Sequence, residues 1–277
     1  MKIINKTYIY YTLFTILVTM VFLYAKFPGD SVSRYTEFKV NQNSNINVSI
    51  GGSTPLFPPG IQYTDICIKY SNKKITCIPD LRIYPLLYPL FGDISFDGSI
   101  FGGIFESNVS DSGKTIYADL QRIRLDQIDL NNFMKNSFDI KFSGLLDSII
   151  DITKINKNIK GKVTVNIDNF QINLKKFPVK KVNFKKLSSS FLLNHKVITI
   201  KDIEFDGPEL SGNINGTIFI DKVVMMSKLN LTCQIKPSIG FIESIKKRLP
   251  LKMLMGNQNE ILFKVKGTIK KPLWRLK

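Results

Sequence analysis

Histidine is almost absent from this chain, cysteine is scarce and acid is in short supply. One His, His195, and three Cys stand among 277 residues. They are too few for a zinc site of any common spacing, and they remove every Ser-His-Asp or Cys-His plan not centred on His195. No dense carboxylate cluster offers another route. The expectation is therefore no catalytic residue, no metal ligand and no cofactor site. The 22 Asp and Glu are outnumbered by 39 Lys and Arg, a formal net charge of +17. Lys, Ile, Asn and Ser are all abundant, as in an AT-rich coding sequence, so part of that charge reflects codon supply and no nucleic-acid partner is inferred from it. The lysines are dispersed along the chain, which reads as a solvated basic surface, although the sign suits anionic head groups or acidic partners.

Two local patterns that resemble chemistry fail on spacing. Gly98, Gly102 and Gly103 have no following Lys-Ser or Lys-Thr and interrupt a two-residue period, which predicts bulges or a strand bend in place of a phosphate loop. His195 lies in Leu193-Asn194-His195-Lys196, a hairpin turn with neither a nucleophile motif nor a metal partner near it. Asn-x-Ser/Thr triplets at Asn47, Asn108, Asn215 and Asn230 arise by chance in so Asn-rich a chain.

A 44% hydrophobic share excludes a wholly disordered chain. One long run is apolar: no charge occurs over 8–25, where Leu13, Phe14, Ile16, Leu17, Val18 and Met20 predict a membrane-spanning helix. No small-x-small pair marks its exit, which favours an uncleaved anchor over a signal peptide, and Lys2 and Lys6 before it place the N-terminus in the cytoplasm. The predicted organisation is a cytoplasmic tail over 1–7, an anchor over 8–25, a helical stalk over 26–44 and an extracytoplasmic body over 45–277. In the stalk, Asp30 is the expected cap and Val32, Tyr35 and Phe38 recur every three residues.

The body reads as mainly β. Two-residue alternation recurs over 93–105, 109–120, 161–174, 182–193, 196–205, 209–220, 223–236 and 260–270, with short connections that make hairpins of an antiparallel sheet. The expectation is a long, twisted sheet, half open or groove-forming. Helical pieces are expected near 120–134, with Ile123, Ile128 and Leu130 apolar, and over 238–249, with Ile239, Ile242 and Ile245 facing the sheet. A hairpin turning near Ser71-Asn72-Lys73 sets Cys67 opposite Cys77. That pair either oxidises outside the cytoplasm or behaves as two small apolar residues. Cys233 alternates with Thr232 and Gln234 and belongs to the apolar face. The strand over 260–270 is the expected sheet edge.

The order of several local phrases resembles the type II secretion system protein N family of Gram-negative bacteria. They are Phe27-Pro28-Gly29-Asp30, Pro58-Pro59-Gly60, Leu81-Arg82-Ile83-Tyr84-Pro85-Leu86, the stretch from Phe96 to Gly103, Ile128-Asp129-Leu130 and Phe142-Ser143-Gly144. The stretch from Leu210 to Thr217 and the closing Val265-Lys266-Gly267-Thr268-Ile269 with Pro272-Leu273-Trp274 also resemble AsmA-type β proteins that handle lipid at the inner membrane. The first resemblance implies a non-enzymatic, accessory inner-membrane component facing the periplasm and binding other type II secretion components. The second implies a groove that holds membrane lipid.

Overall fold

The computed structural model describes residues 6–42, 46–56, 60–70, 73–84, 93–110, 113–128, 140–155, 158–174, 181–245 and 260–276. The expected turns at 43–45, 57–59 and 71–72, the expected helical residues 129–134 and 246–249, and most of the 1–7 tail lie outside them. Contacts divide the chain into two compact units, Met1–Leu86 and Leu87–Lys277.

The first unit holds helices α1 (Lys6–Ala25) and α2 (Gly29–Gln42) and strands β1 (Ile46–Ser49), β2 (Gly52–Leu56), β3 (Gly60–Tyr70) and β4 (Lys73–Tyr84). Among the described residues no helix is long and apolar enough to cross a membrane. This corrects the anchor expected over 8–25 and the single-pass inner-membrane localisation drawn from it. The segment is helical and charge-free, but Tyr8, Tyr10, Tyr11, Thr12, Thr15, Thr19 and Tyr24 dilute its apolar run.

α2 packs on β1 and β2. Tyr35 and Phe38, which recur three residues apart, are 63% and 58% exposed, and the face packed on the strands is polar. The Asn41 side chain donates to the Val48 carbonyl (2.9 Å) and accepts from the Val48 amide (2.6 Å). Thr36 meets the Tyr63 hydroxyl at 3.1 Å, and the Ile50 amide donates to Glu37. Ser53 Oγ donates to the Gly29 carbonyl at 2.8 Å. A Cβ on Gly29 would lie 2.2 Å from the Ser53 carbonyl oxygen, so only glycine permits this approach. Asp30 lies in the first turn of the helix.

The second unit is an antiparallel meander in which each strand pairs with the next. It runs β5 (Ile94–Ile100), β6 (Gly103–Ser110), β7 (Thr115–Arg124), β8 (Ile140–Ile155), β9 (Asn158–Leu174) and β10 (Lys181–Asn194). It continues β11 (Val197–Asp206), β12 (Leu210–Phe219), β13 (Lys228–Pro237), β14 (Ile261–Thr268) and β15 (Pro272–Leu276), with a short helix α3 (Ile239–Ile245) after β13. β5 and β15 do not pair with each other, so this sheet is open.

Several expected boundaries move. The strand over 93–105 is two strands, because Phe101 (φ 49°) and Gly102 (φ 72°) form a tight reversal between β5 and β6. Residues 120–124, expected in a helix, continue β7 into a 3₁₀ turn at Leu125–Gln127. Val223 to Met226 leave the expected strand for an exposed loop with a 3₁₀ turn, and Ile239, expected against the sheet, is 77% exposed. β14 is paired on both sides, so the edge is β15 and not 260–270.

Gly216 (φ +140°) pairs with Leu231 on β13, and a Cβ there would lie 2.2 Å from the Asn230 carbonyl oxygen. Gly216→Ala is expected to destabilise the protein by about 2 kcal/mol through forced backbone displacement. Chemical denaturation of the full chain checks this, and an unchanged midpoint contradicts the register of β12 on β13.

Candidate functional site: an uncovered apolar sheet face

Directly paired residues of a ladder project to the same face, so register decides which side chains meet. Phe170 of β9 lies opposite Phe184 of β10, Leu187 of β10 opposite Phe205 of β11, and Phe142 of β8 opposite Ile172 of β9. The four phenylalanines form a row across four strands. Successive ring centroids are 5.9, 5.8 and 5.5 Å apart, the first two contacts stacked and the last edge-on. Such pairs add about 0.5–1.5 kcal/mol each beyond the area they bury. Ile167, Phe170, Val182 and Phe184 are buried, with Leu125, Leu146, Val165 and Leu187 packed around them.

The face continues in both directions. Toward the C-terminal edge, Ile203 pairs with Ile214, Ile214 with Cys233 and Cys233 with Phe263. It ends at Trp274, whose ring lies 5.5 Å from that of Phe263. Toward β5, Ser148 pairs with Leu120, Leu120 with Phe105 and Phe105 with Gly98. Two serines interrupt the apolar surface: Ser148 Oγ donates to the Thr164 carbonyl at 3.0 Å, and buried Ser189 Oγ has no partner.

The other face is polar. Lys186, Glu204, Asp206, Asn213, Gln234 and Lys236 line a shallow dish of about 350 Å³ in which charges of both signs interleave. At its margin Lys236 pairs with Glu260 at 2.5 Å and, with the Gln234 amide, holds that carboxyl below its usual range.

Among the described residues the packing of this unit is between neighbouring strands, with Leu125 of the 3₁₀ turn added to the core. Among the described residues no second layer covers the apolar face and no large side chain is fully buried. The arrangement can accept apolar ligand surface along its length. Among the described residues no group of three or more His, Cys, Asp and Glu converges.

The residues singled out from sequence fall in separate places. His195 sits exposed in the β10–β11 turn with φ 56°. Gly98 and Gly103 lie within β5 and β6, and Gly102 in the reversal between them. Cys67 and Cys77 pair across β3 and β4 in the first unit and are joined as a disulfide. The hairpin has two connecting residues, where three were expected, and a bulge between Ile68 and Lys69 brings the two cysteines into register. Cys233 is 4% exposed on the apolar face, and burial pushes its thiol up. The phenylalanine row is not visible in the sequence because it depends on strand pairing, and because a register shift between Ser143 and Leu145 breaks the alternation of β8.

No family model matches the chain, and no match is found among curated proteins or solved structures.

Four outcomes are expected. Alkylation followed by mass analysis finds Cys67 and Cys77 protected without reductant. Cys233 reacts slowly in the folded protein and rapidly in denaturant. Because its pKa is raised, the neutral thiol is the native form; stability is unaffected below the ordinary thiol range and declines as pH rises through it. Phe184→Ala costs about 3 kcal/mol in denaturant unfolding.

Proposed function

We propose that the protein acts by binding and not by turnover, holding acyl chains against the apolar face of the second unit. The observation that carries this reading is the apolar face that runs from Phe105 through the phenylalanine row to Trp274, interrupted only at Ser148 and Ser189, with no layer over it among the described residues. A face of this kind left to water is costly; each methylene of an acyl chain laid on it contributes about 0.8 kcal/mol. This is the lipid-handling role associated with AsmA-type β proteins.

A second reading, an accessory component of type II secretion that captures partner proteins, is favoured by one feature. β15 is an edge strand, with Leu273 and Trp274 60% and 64% exposed, and an extended partner segment can add to it.

Trp274 is the only tryptophan in the chain and lies on the apolar face, which makes its emission a local probe. A brominated fatty acid is expected to quench Trp274, and Phe142→Asp to weaken that quenching about tenfold. Leu273→Asp, on the opposite face, leaves it unchanged. Absence of quenching and of extractable lipid in the purified protein, with partner capture lost in Leu273→Asp, replaces the lipid reading with the second one.

A further inference from the structure

A meander turns at alternate ends, so the β6–β7, β8–β9, β10–β11, β12–β13 and β14–β15 connections share one end of the second unit. Backbone hydrogen bonds stitch neighbouring connections into a rim. The Lys154 amide donates to the Lys114 carbonyl (2.6 Å), His195 to Ile159 (2.7 Å) and Ile220 to Lys196 (2.7 Å). Ile269 donates to Ser227 (3.1 Å) and Lys270 to Met225 (2.9 Å).

This rim collects positive charge. Lys114, Lys154 and Lys196 come from the first three connections and their flanks, all exposed. Lys222, Lys228, Lys270 and Lys271 come from the last two and are exposed as well. Among the described residues of these connections and the two strand positions flanking each, the one acid is Asp221, whose carboxylate accepts from the Val223 amide. The opposite end mixes signs and pairs them, Arg124 with Asp126 and Lys236 with Glu260.

The rim also exposes apolar side chains. Val223, Val224, Met225 and Met226 follow one another at 58%, 66%, 52% and 49% exposure, and Ile155 and Phe219 stand near half exposed at 54% and 48%. The loop that carries them is fixed by its own contacts. The Met226 amide donates to the Val223 carbonyl at 2.8 Å, and buried Ser227 Oγ accepts from the Asp221 amide at 3.1 Å. Nine strand spacings separate β6 from β15, so the lysines are spread along about 40 Å.

We propose that this end of the second unit docks on an anionic bilayer surface, with the Val223–Met226 loop entering the head-group region and the flanking lysines meeting lipid phosphates. Charge complementarity over an extended line, together with four consecutive apolar side chains held at a tip, suits a charged plane with an apolar interior. The inference stands apart from the proposed function, because docking requires no acyl chain on the sheet face.

The test uses the full chain with Met225→Cys carrying an environment-sensitive fluorophore, and Asp126→Cys at the opposite end as its counterpart. Vesicles of phosphatidylcholine containing phosphatidylglycerol are compared with vesicles of phosphatidylcholine alone. The label at 225 is expected to shift to the blue with the anionic vesicles only, and the label at 126 to remain unchanged. Lys222→Glu, Lys270→Glu and Lys271→Glu together should weaken the anion-dependent signal about a hundredfold. Lys141→Glu, Lys181→Glu and Lys185→Glu, equal in charge but distant from the rim, should weaken it far less. Equal loss in both triple variants, a shift at both labels, or no difference between the vesicles overturns the proposal. So does capture of a protein through the rim without any vesicle response.

Discussion

The two-residue period of a β-strand is the constraint on which the second unit depends. A strand that slips by one residue sends its whole apolar set to the other face, and several of these strands are too long to hold one parity throughout. β7 carries Leu120 and then Ile123 on the apolar face, β9 Ile167 and then Phe170, β10 Phe184 and then Leu187, and β11 Ile200 and then Ile203. In β7 and β9 the parity changes where a residue adopts a left-handed backbone, Arg122 (φ 54°) and Asn169 (φ 52°). β9 and β10 change at the same level, so Phe184 still meets Phe170 and Leu187 still meets Ile167. The bulges therefore preserve the apolar face, and without them the phenylalanine row would be divided between both sides of the sheet.

A sheet built this way has one wet face and one dry face with no partner layer among the described residues. Neighbouring side chains cover one another well enough to bring Ile123, Ile200, Cys233 and Val265 to 4–5% exposure, but the outer surface of that layer stays apolar. The same meander places alternate turns together, and this converts lysines far apart in sequence into a continuous basic rim. Stability, the proposed ligand surface and the proposed docking surface thus follow from one topology, while the disulfide hairpin and the polar seam under α2 belong to the first unit.

How much of this was legible in the sequence follows from where periodicity is local. Leu229, Leu231, Cys233 and Ile235 alternate without a break, and β13 and the burial of Cys233 were readable from them. The Leu193-Asn194-His195-Lys196 turn was readable from its chemistry. β8 was not: the doublets Leu145-Leu146 and Ile149-Ile150 and the register shift beside Gly144 erase its alternation. Ile123 is out of phase with Leu120 because of the bulge at Arg122, which made strand resemble helix. Pro272 concealed the short edge strand β15. The helix α2 was readable from its period, but its packed side was not, because Thr36, Glu37 and Asn41 bond to strand backbone and side chains and leave no apolar stripe to mark it. Seven of the lysines that are scattered in the sequence are brought to one end by the alternating turns, while others, such as Lys186 and Lys236, stay on the polar face.

On the proposed reading, lipid lies on the face that bears the phenylalanine row. A photoreactive phenylalanine analogue placed at Phe205, and in a second protein at Ser188 on the polar face, reads this position by position. With an acyl-chain lipid present during illumination, the account predicts lipid adducts at position 205 and none at position 188. Adducts at neither position, or equal labelling at both, would contradict it.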